Sequence, residues 1–285
     1  MEKICGRIRA IDTESRVFEI LKRNRILYFY LTRSQIKKFK AYLEPGLFVE
    51  LEYTNEPKIR GNVKAYDVIG FTKLIGIEKM QRTIYFDMET IKKGVVKVLN
   101  RVGNKMFIDL EFTMPPYEYH GGPYPSEIIQ FGFTVENEFG EIILEESQLV
   151  KISNPEGLSD RTKDFLKIDE SDLKNAVTPL EFYNTLKDVL EQYNPIIMVW
   201  GKNDISMLDK FYEQNNFLPL TKRASFINLM QLVKNYFGLK SDVGLFNAVS
   251  YFNEKFDMEQ VHDALDDALV TSMVYHQFKA YSQKK

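Results

Sequence analysis

Cysteine is almost absent from this chain: its 285 residues include one, Cys5. That excludes an intrachain disulfide and a cysteine-based zinc site, agrees with a reducing compartment, and leaves any metal to be held mainly by oxygen ligands. Long apolar runs are absent too. Nothing approaches the roughly 18 consecutive apolar residues of a membrane span, and the opening "MEKICGRIRAID" lacks the apolar centre of a secretory signal. The expectation is a cytoplasmic protein with no membrane contact. No low-complexity segment and no internal repeat is present.

What is present is enough apolar sequence to fill a sizeable core: 44% hydrophobic residues against 27% charged ones, the balance of a globular chain with one large or two medium domains. The net charge of -2 conceals an uneven distribution. Residues 1–100 carry 20 Lys and Arg against 12 Asp and Glu, and residues 101–285 carry 18 against 28, giving halves of +8 and -10. The split marks a domain junction, with a basic front half facing a polyanion and a carboxylate-rich back half. A merely solvated basic face is the competing explanation.

Residues 1–78 alternate apolar and polar positions in short runs, "KICGRIRAI", "RVFEIL", "RILYFYLT", "FVELEYT" and "VKAYDVIGFTKL", each reading as a strand. "KRNR" reads as a turn. One helix, "SQIKKFKAYLEPG", falls between the third and fourth strands, with Ser34 placed to cap it and Ile36, Phe39, Tyr42 and Leu43 on one face. Three strands, a helix and two strands is the element order of an OB-like barrel. Arg7, Arg9, Lys22, Arg23, Arg25, Lys58, Arg60 and Lys64 mingle there with Phe18, Tyr28, Tyr30, Tyr53 and Tyr66. Such a mixture binds single-stranded nucleic acid by phosphate neutralisation and base stacking, although part of the aromatic set can equally be core.

Residues 79–104 read as a connector with a helix in "DMETIKKGVVKVLNRVGN". From 105 to 285 three strands are expected in "KMFIDLEFT", "SEIIQFGFTVEN" and "EIILEESQLVK". A helix "LEFYNTLKDVLEQY", a buried parallel strand "NPIIMVWG" and a helix "DISMLDKFYEQN" follow. Helices near 226–238, 242–253 and 263–281 end the chain. A meander followed by α/β alternation is the outline of an α/β, RNase H-like mixed sheet flanked by helices.

Asp109 and Glu111 stand two positions apart on the apolar strand, hence on one face. Buried charges without partners cost about 3 kcal/mol or more each unless a cation compensates them, so this pair points to metal. Asp204 follows "IIMVWG" at the C-terminal end of a strand, where α/β sheets place ligands; alone, it is equally an ordinary helix cap. In "VHDALDDALVTSMVYHQF", Asp267 shares a helical stripe with Val270, Val274 and Phe278 and faces the core. Asp263 and Asp266 are accounted for as N-cap and capping-box partner. His262 precedes the helix and is free of its periodicity. Four oxygen donors imply Mg²⁺ or Mn²⁺, two ions as for in-line attack on a phosphodiester, and a histidine beside them suits deprotonation of water.

"FIDLEFT", "WGKNDISML" and "HDALDDA" resemble, in order and spacing, the three motifs of the DEDDh (DnaQ-like) 3'-5' exonucleases over residues 105–281. "PSEIIQFG" and the tryptophan of "VWGKND" make the chain most similar to the Eri-type exoribonucleases. The five-residue interval from His262 selects Asp267 rather than Asp266 as the third motif's acid. The resemblance implies release of 5'-mononucleotides from the free 3' end of RNA or single-stranded DNA. It implies Asp109 bridging both ions, Glu111 and Asp267 completing one site, Asp204 holding the other partly through water, and His262 as general base. Leu110, Phe112 and Thr113 become candidates for contact with the terminal nucleotide. A DNA-directed proofreading enzyme and an inactive nucleic-acid-binding adaptor are the alternatives. The inserted segment "TMPPYEYHGGPYPS" is either a strand-gripping loop or a surface turn, and His120 within it reads as a solvated residue.

Overall fold

The computed structural model describes residues 1–252 and 262–284. The chain forms two compact units, Met1–Val95 and Val96–Lys285.

The first unit is built from β1 (Glu2–Asp12), β2 (Val17–Lys22), β3 (Arg25–Tyr30), α1 (Arg33–Phe39), β4 (Phe48–Tyr53), β5 (Lys58–Arg60), β6 (Val63–Glu78) and β7 (Gln81–Asp87). β1 pairs antiparallel with β2 and β4, β2 with β3, and β4 with β6, while β3 pairs parallel with β6. The pairings therefore run in a closed circuit of five strands. Alternate residues turn inward to a core that includes Ile8, Phe18, Ile20, Phe29, Val49, Leu51, Phe71 and Leu74, each contributing roughly 1.5–3 kcal/mol by leaving water.

α1 is capped by Thr32 and not by Ser34. The Thr32 hydroxyl accepts the Gln35 N–H, and the Gln35 carboxamide oxygen accepts the Thr32 N–H at 2.8 Å. The reciprocal bonds start the helix two residues earlier than expected. Phe39 and Leu43 are buried as the helical stripe predicts, whereas Tyr42 is exposed and stacks on Tyr85 at 4.8 Å between centroids. β7 occupies the first part of the segment read as a connector, because Lys79 and Met80, both at positive φ, fold it back onto β6. This is the backbone of a two-residue hairpin turn without the Asn-Gly signal that betrays one.

The division between the units falls within α2 (Met88–Leu99), whose last turn, from Val96, opens the second unit. β8 (Lys105–Phe112), β9 (Ile128–Glu136), α3 (Asp160–Leu166), α4 (Pro179–Tyr193), α5 (Asn203–Gln214), α6 (Leu229–Phe237), α7 (Leu245–Val249) and α8 (Ala264–Gln283) belong to it, with β10 (Ile142–Leu149), β11 (Ile196–Val199) and β12 (Phe226–Asn228). Its sheet runs β10-β9-β8-β11-β12, antiparallel among the first three strands and parallel from β8 onward. Met106, Ile108 and Leu110 share a core with Phe182, Leu186 and Val189 of α4 and Met207, Leu208 and Phe211 of α5. On the opposite face Phe107 meets Tyr275 of α8 at 5.5 Å. Helices on both faces of a mixed sheet are the expected RNase H-like arrangement.

The helix expected over 242–253 is confined to α7, and residue 253 lies outside the described residues, as does Val261 of the third motif. The helix expected near 226–238 starts only at Leu229, because Phe226–Asn228 form β12 and Asn228 caps α6, and α3 has no counterpart in the sequence reading, since seven residues carry too little periodicity. Among the described residues, no helix is long and apolar enough to cross a membrane.

Candidate active site

β8 is the strand around which the site is assembled. Its odd-numbered residues face α8, so Asp109 and Glu111 project together on that side, while Leu110 turns into the core behind them. β11 pairs with β8 only as far as Phe107. Beyond that point no strand among the described residues pairs with β8 on this flank, and the Leu110 N–H donates to Asp204 Oδ1 at 3.2 Å. Asp204 is the second residue of α5, which begins just past β11, and only 4% of it is exposed. A short strand thus opens the sheet, and the helix that follows it delivers a carboxylate to the gap.

α8 supplies the opposite wall. Gly132 on β9 pairs with Asp109 in register, and a Cβ there would lie 2.2 Å from the Leu265 backbone N and 2.3 Å from the Ala264 carbonyl carbon. The missing side chain lets the first turn of α8 rest directly on the sheet. Asp263 caps that turn, its Oδ1 accepting the N–H groups of Leu265 and Asp266 at 2.9 and 3.1 Å. Asp266 thus enters the cap through its backbone N–H, and it is exposed. Asp267 is 6% exposed and lies on the buried stripe with Val270, Val274 and Phe278, as its spacing predicted.

One donor atom from each of Glu111, His262 and Asp267 lies within 4.8 Å of the others. The acids repel one another in a site that solvates them poorly. Burial first, then the charges of Asp204, Glu111, Asp267 and Asp263, hold the Asp109 carboxyl well above the usual carboxylate range. Burial followed by Asp267 and Asp204 pushes Glu111 to about 8. Burial raises Asp204 to about 7, against the lowering effect of hydrogen bonds from its own N–H and that of Leu110, with Asp267 adding repulsion. A group of carboxyls that hold protons near neutrality is a group that a divalent cation would discharge. Oxygen donors with a single nitrogen suit a hard ion such as Mg²⁺ or Mn²⁺, so the residues fit the metal the sequence implied.

The three candidates for nucleotide contact differ in exposure. Leu110 is 2% exposed within the core. Phe112 is half-buried against that core. Thr113 is buried with its hydroxyl accepting the Glu127 N–H at 3.0 Å, while its own N–H donates to the Glu127 carbonyl, a pair that closes the neck of the 114–126 loop. The loop's next residue, Met114, is fastened to Ser159 and Thr162 of the α3 cap. His120 is exposed on the loop.

Three residues at the site escaped the sequence reading. Gly132 carried a signal, an isolated glycine inside a strand run, which marks close approach of another backbone. Gln130, whose amide donates to Asp263 Oδ2 at 2.7 Å, showed only as a polar interruption of β9. Phe165 of α3, stacked on the His262 ring at 3.9 Å between centroids, carried none.

The comparisons with known proteins fall on this same unit. The exonuclease family profile, of the RNase T type, matches residues 106–275. Probable 3'-5' exonuclease KapD of Bacillus subtilis (strain 168) is 30% identical over 183 residues, 63% of this chain and 85% of KapD. Among solved structures, the nuclease domain of 3'hExo, a DEDDh family member bound to rAMP, superposes with a TM-score of 0.55 at 18% identity, covering 63% of this chain and 93% of that one. A 3'-exonuclease described for its 3'-end-specific recognition of a histone mRNA stem-loop gives 0.54 at 17% identity, covering 64% of each chain. This chain therefore spans somewhat less than two thirds of that protein's length. Residues 1–105 lie outside the family match. The family match spans more than half of the chain, so the chain belongs to the exonuclease family and is a 3'-5' exonuclease.

Proposed function

We propose that the protein removes 5'-mononucleotides one at a time from the 3' end of single-stranded nucleic acid, RNA ahead of DNA, using two bound divalent cations, Mg²⁺ or Mn²⁺. The observation that carries this reading is the convergence of Glu111, His262 and Asp267 within 4.8 Å, beside Asp109 and Asp204, in a pocket where burial lifts the carboxyl pKa values. Asp109, Glu111, Asp204 and Asp267 would hold the ions, which would supply charge neutralisation and activation of the attacking water. The Leu110 N–H donates to one Asp204 oxygen and fixes that carboxylate in place.

The protein's own part is positional and acid–base. His262, outside α8 and half-exposed, takes the proton of the attacking water. The acid cluster would hold the metal against which the phosphate sits, and the Leu110–Thr113 segment is assigned to the terminal nucleotide. Phe112, half-buried, is placed to touch that nucleotide, while Leu110 and Thr113 shape its floor from behind. RNA is put first because the two solved relatives are described with an mRNA 3' end and with rAMP. Discrimination itself would lie in how the pocket treats the 2'-hydroxyl.

The unit ahead of the nuclease is assigned to substrate delivery, with residues 1–78 as an OB-like binding domain, 79–104 as connector and 105–285 as exonuclease. Its closed circuit of strand pairings supports this, and so does the exposure of Arg7, Arg9, Lys22, Arg23, Arg25, Lys58 and Lys64. Phe18 and Tyr53 belong to its core, Tyr66 packs against it, and Arg16 and Arg60 lie over the Tyr30 ring, leaving half-buried Tyr28 for stacking. The single exposed Cys5 fits a cytoplasmic setting. Incubation of 5'-labelled RNA and DNA oligomers with Mg²⁺ or Mn²⁺ should give ladders shortened from the 3' end. Equal degradation of oligomers with a blocked 3' terminus, or full activity in Asp109→Ala, would overturn the assignment.

A further inference from the structure

His262 is held by a residue remote from it in sequence. Its φ of +56° puts a non-glycine residue in the left-handed region, a conformation that costs roughly 1–2 kcal/mol and persists where surrounding contacts impose it. It precedes α8, so no helical hydrogen bond orients the ring. One contact from another element reaches the ring itself, and a second fixes the residue that follows it.

The first is Phe165. Its ring lies over the imidazole at 3.9 Å between centroids and 29° between planes. Phe165 is 39% exposed, and the small apolar cluster beneath α3 is formed without it, by Ile129, Leu158 and Leu166 with Ile152, Ile168 and Leu173. The platform that carries the ring is nonetheless firmly set. The Ser159 hydroxyl caps α3, and Ser159 and Thr162 both bind the Met114 backbone. An aromatic ring held rigidly, left largely out of the core and stacked on a second ring is placed for that second ring.

The second is Gln130, which stands opposite Glu111 in the β8–β9 register. Its amide nitrogen donates to Asp263 Oδ2 at 2.7 Å, and its Oε1 accepts the Ala264 N–H at 3.4 Å. The other Asp263 oxygen is occupied by the helix cap. Asp263 is thus tied at both oxygens, and the residue before it inherits a fixed starting point.

We propose that Phe165 and Gln130 are positioning residues that hold the His262 ring beside Glu111 and Asp267, Phe165 by stacking on it and Gln130 by anchoring Asp263 behind it. The inference rests on the reading of His262 as the base. Displacing a base by about 1 Å costs rate on the order of 10²-fold at most, with binding of remote substrate untouched. Phe165→Ala should therefore lower kcat on the order of tenfold with KM within about twofold, and Phe165→Tyr, which keeps the ring, should restore it. Gln130→Ala should lower kcat several-fold, and Gln130→Glu, which sets a carboxylate against Asp263, should lower it further.

The chain has three histidines, so the ring resonances can be assigned in a ¹³C-labelled full-length protein. The His262 ring protons should show an aromatic shielding that disappears in Phe165→Ala; their insensitivity to that change would overturn the proposal. A rise in KM at unchanged kcat would also overturn it, making Phe165 a nucleotide contact. In a His262→Ala background, Phe165→Ala should have no further effect, and the same tenfold loss there would refute a role through the histidine. Full activity of His262→Ala alone would instead remove the base assignment, a failure distinct from any result at Phe165. Wild-type kcat in both Gln130 variants would overturn that half of the proposal.

Discussion

Gly132→Ala tests how the site is assembled without touching any acid. The added Cβ would sit 2.2 Å from the Leu265 N, 2.3 Å from the Ala264 carbonyl carbon and 2.6 Å from its oxygen. All three are backbone atoms of α8's first turn, which no rotamer change can move aside. Ordinary contact begins near 3.4 Å, so the helix start has to lift from β9 by about 1 Å. That displacement carries His262 and Asp267 away from Glu111, and a 1 Å misplacement costs catalysis on the order of 10²-fold. Overpacking of this kind destabilises by about 1–3 kcal/mol, so the nuclease unit should melt roughly 2–10 °C lower while still folding. The assay is kcat on a 5'-labelled single strand, beside a thermal melt of the same variant. Wild-type kcat with an unchanged melting temperature would refute the claim that close approach of α8 to β9 builds the site. Lost stability with retained kcat would show that the site tolerates the shift.

The neighbouring aspartates of α8 should separate cleanly: Asp267→Asn should lower kcat on the order of 10³-fold while Asp266→Asn stays within about twofold, and comparable losses in both would refute the assignment to the buried member. The carboxyls raised by burial, Glu111 to about 8 and Asp204 to about 7, take up protons on folding. Metal-free stability should therefore fall as pH rises from about 4 to 8, since the native state then holds more protons than the unfolded one. Mg²⁺ or Mn²⁺, which discharges the same acids, should raise the melting temperature more at pH 8.5 than at pH 6; a pH-independent gain would count against the cluster as its site. Asp263→Ala removes the helix cap and the Gln130 bond together, so it should destabilise by about 1–2 kcal/mol, measured by denaturant titration. Lys22→Glu with Arg25→Glu, both exposed on the β2–β3 hairpin, should weaken single-strand binding and reduce its logarithmic salt slope by about 1 per lost phosphate contact; an unchanged slope would argue for a bystander surface.

Much of the fold was legible because periodicity registers burial. The β8 run "KMFIDLEF" sits between the core of α4 and α5 on one face and α8 on the other, and it reads as apolar with two conspicuous acids. What escaped did so where conformation left no trace in residue type. Lys79 and Met80 adopt positive φ in a tight hairpin, yet neither is the Gly, Asn or Asp that such turns favour, so β7 was indistinguishable from a connector. Ser34 and Thr32 are both competent caps, and the choice between them is made by Gln35, which reaches back only to Thr32.

The site divides along the same line. Its candidate acids stand out in the sequence because a carboxylate in an apolar setting is anomalous wherever it occurs, and spacing then says which face it occupies. Asp204 is the instructive middle case. As a residue at a helix start it is unremarkable, and what sets it apart is that β11 ends at Val199 and parts from β8 at Phe107. That leaves the Leu110 N–H for its carboxylate to take. Strand length and pairing are tertiary outcomes, so no local pattern announces them. Gly132, Gln130 and Phe165 lie further along this scale: each acts on α8 or His262 from an element remote in sequence, and each is ordinary in its own strand or helix. Residues that bear charge in the site are thus visible one at a time. Residues that hold those charges in place become visible only once the elements carrying them have met, which is why the positioning variants, rather than further acid substitutions, probe what the structure adds.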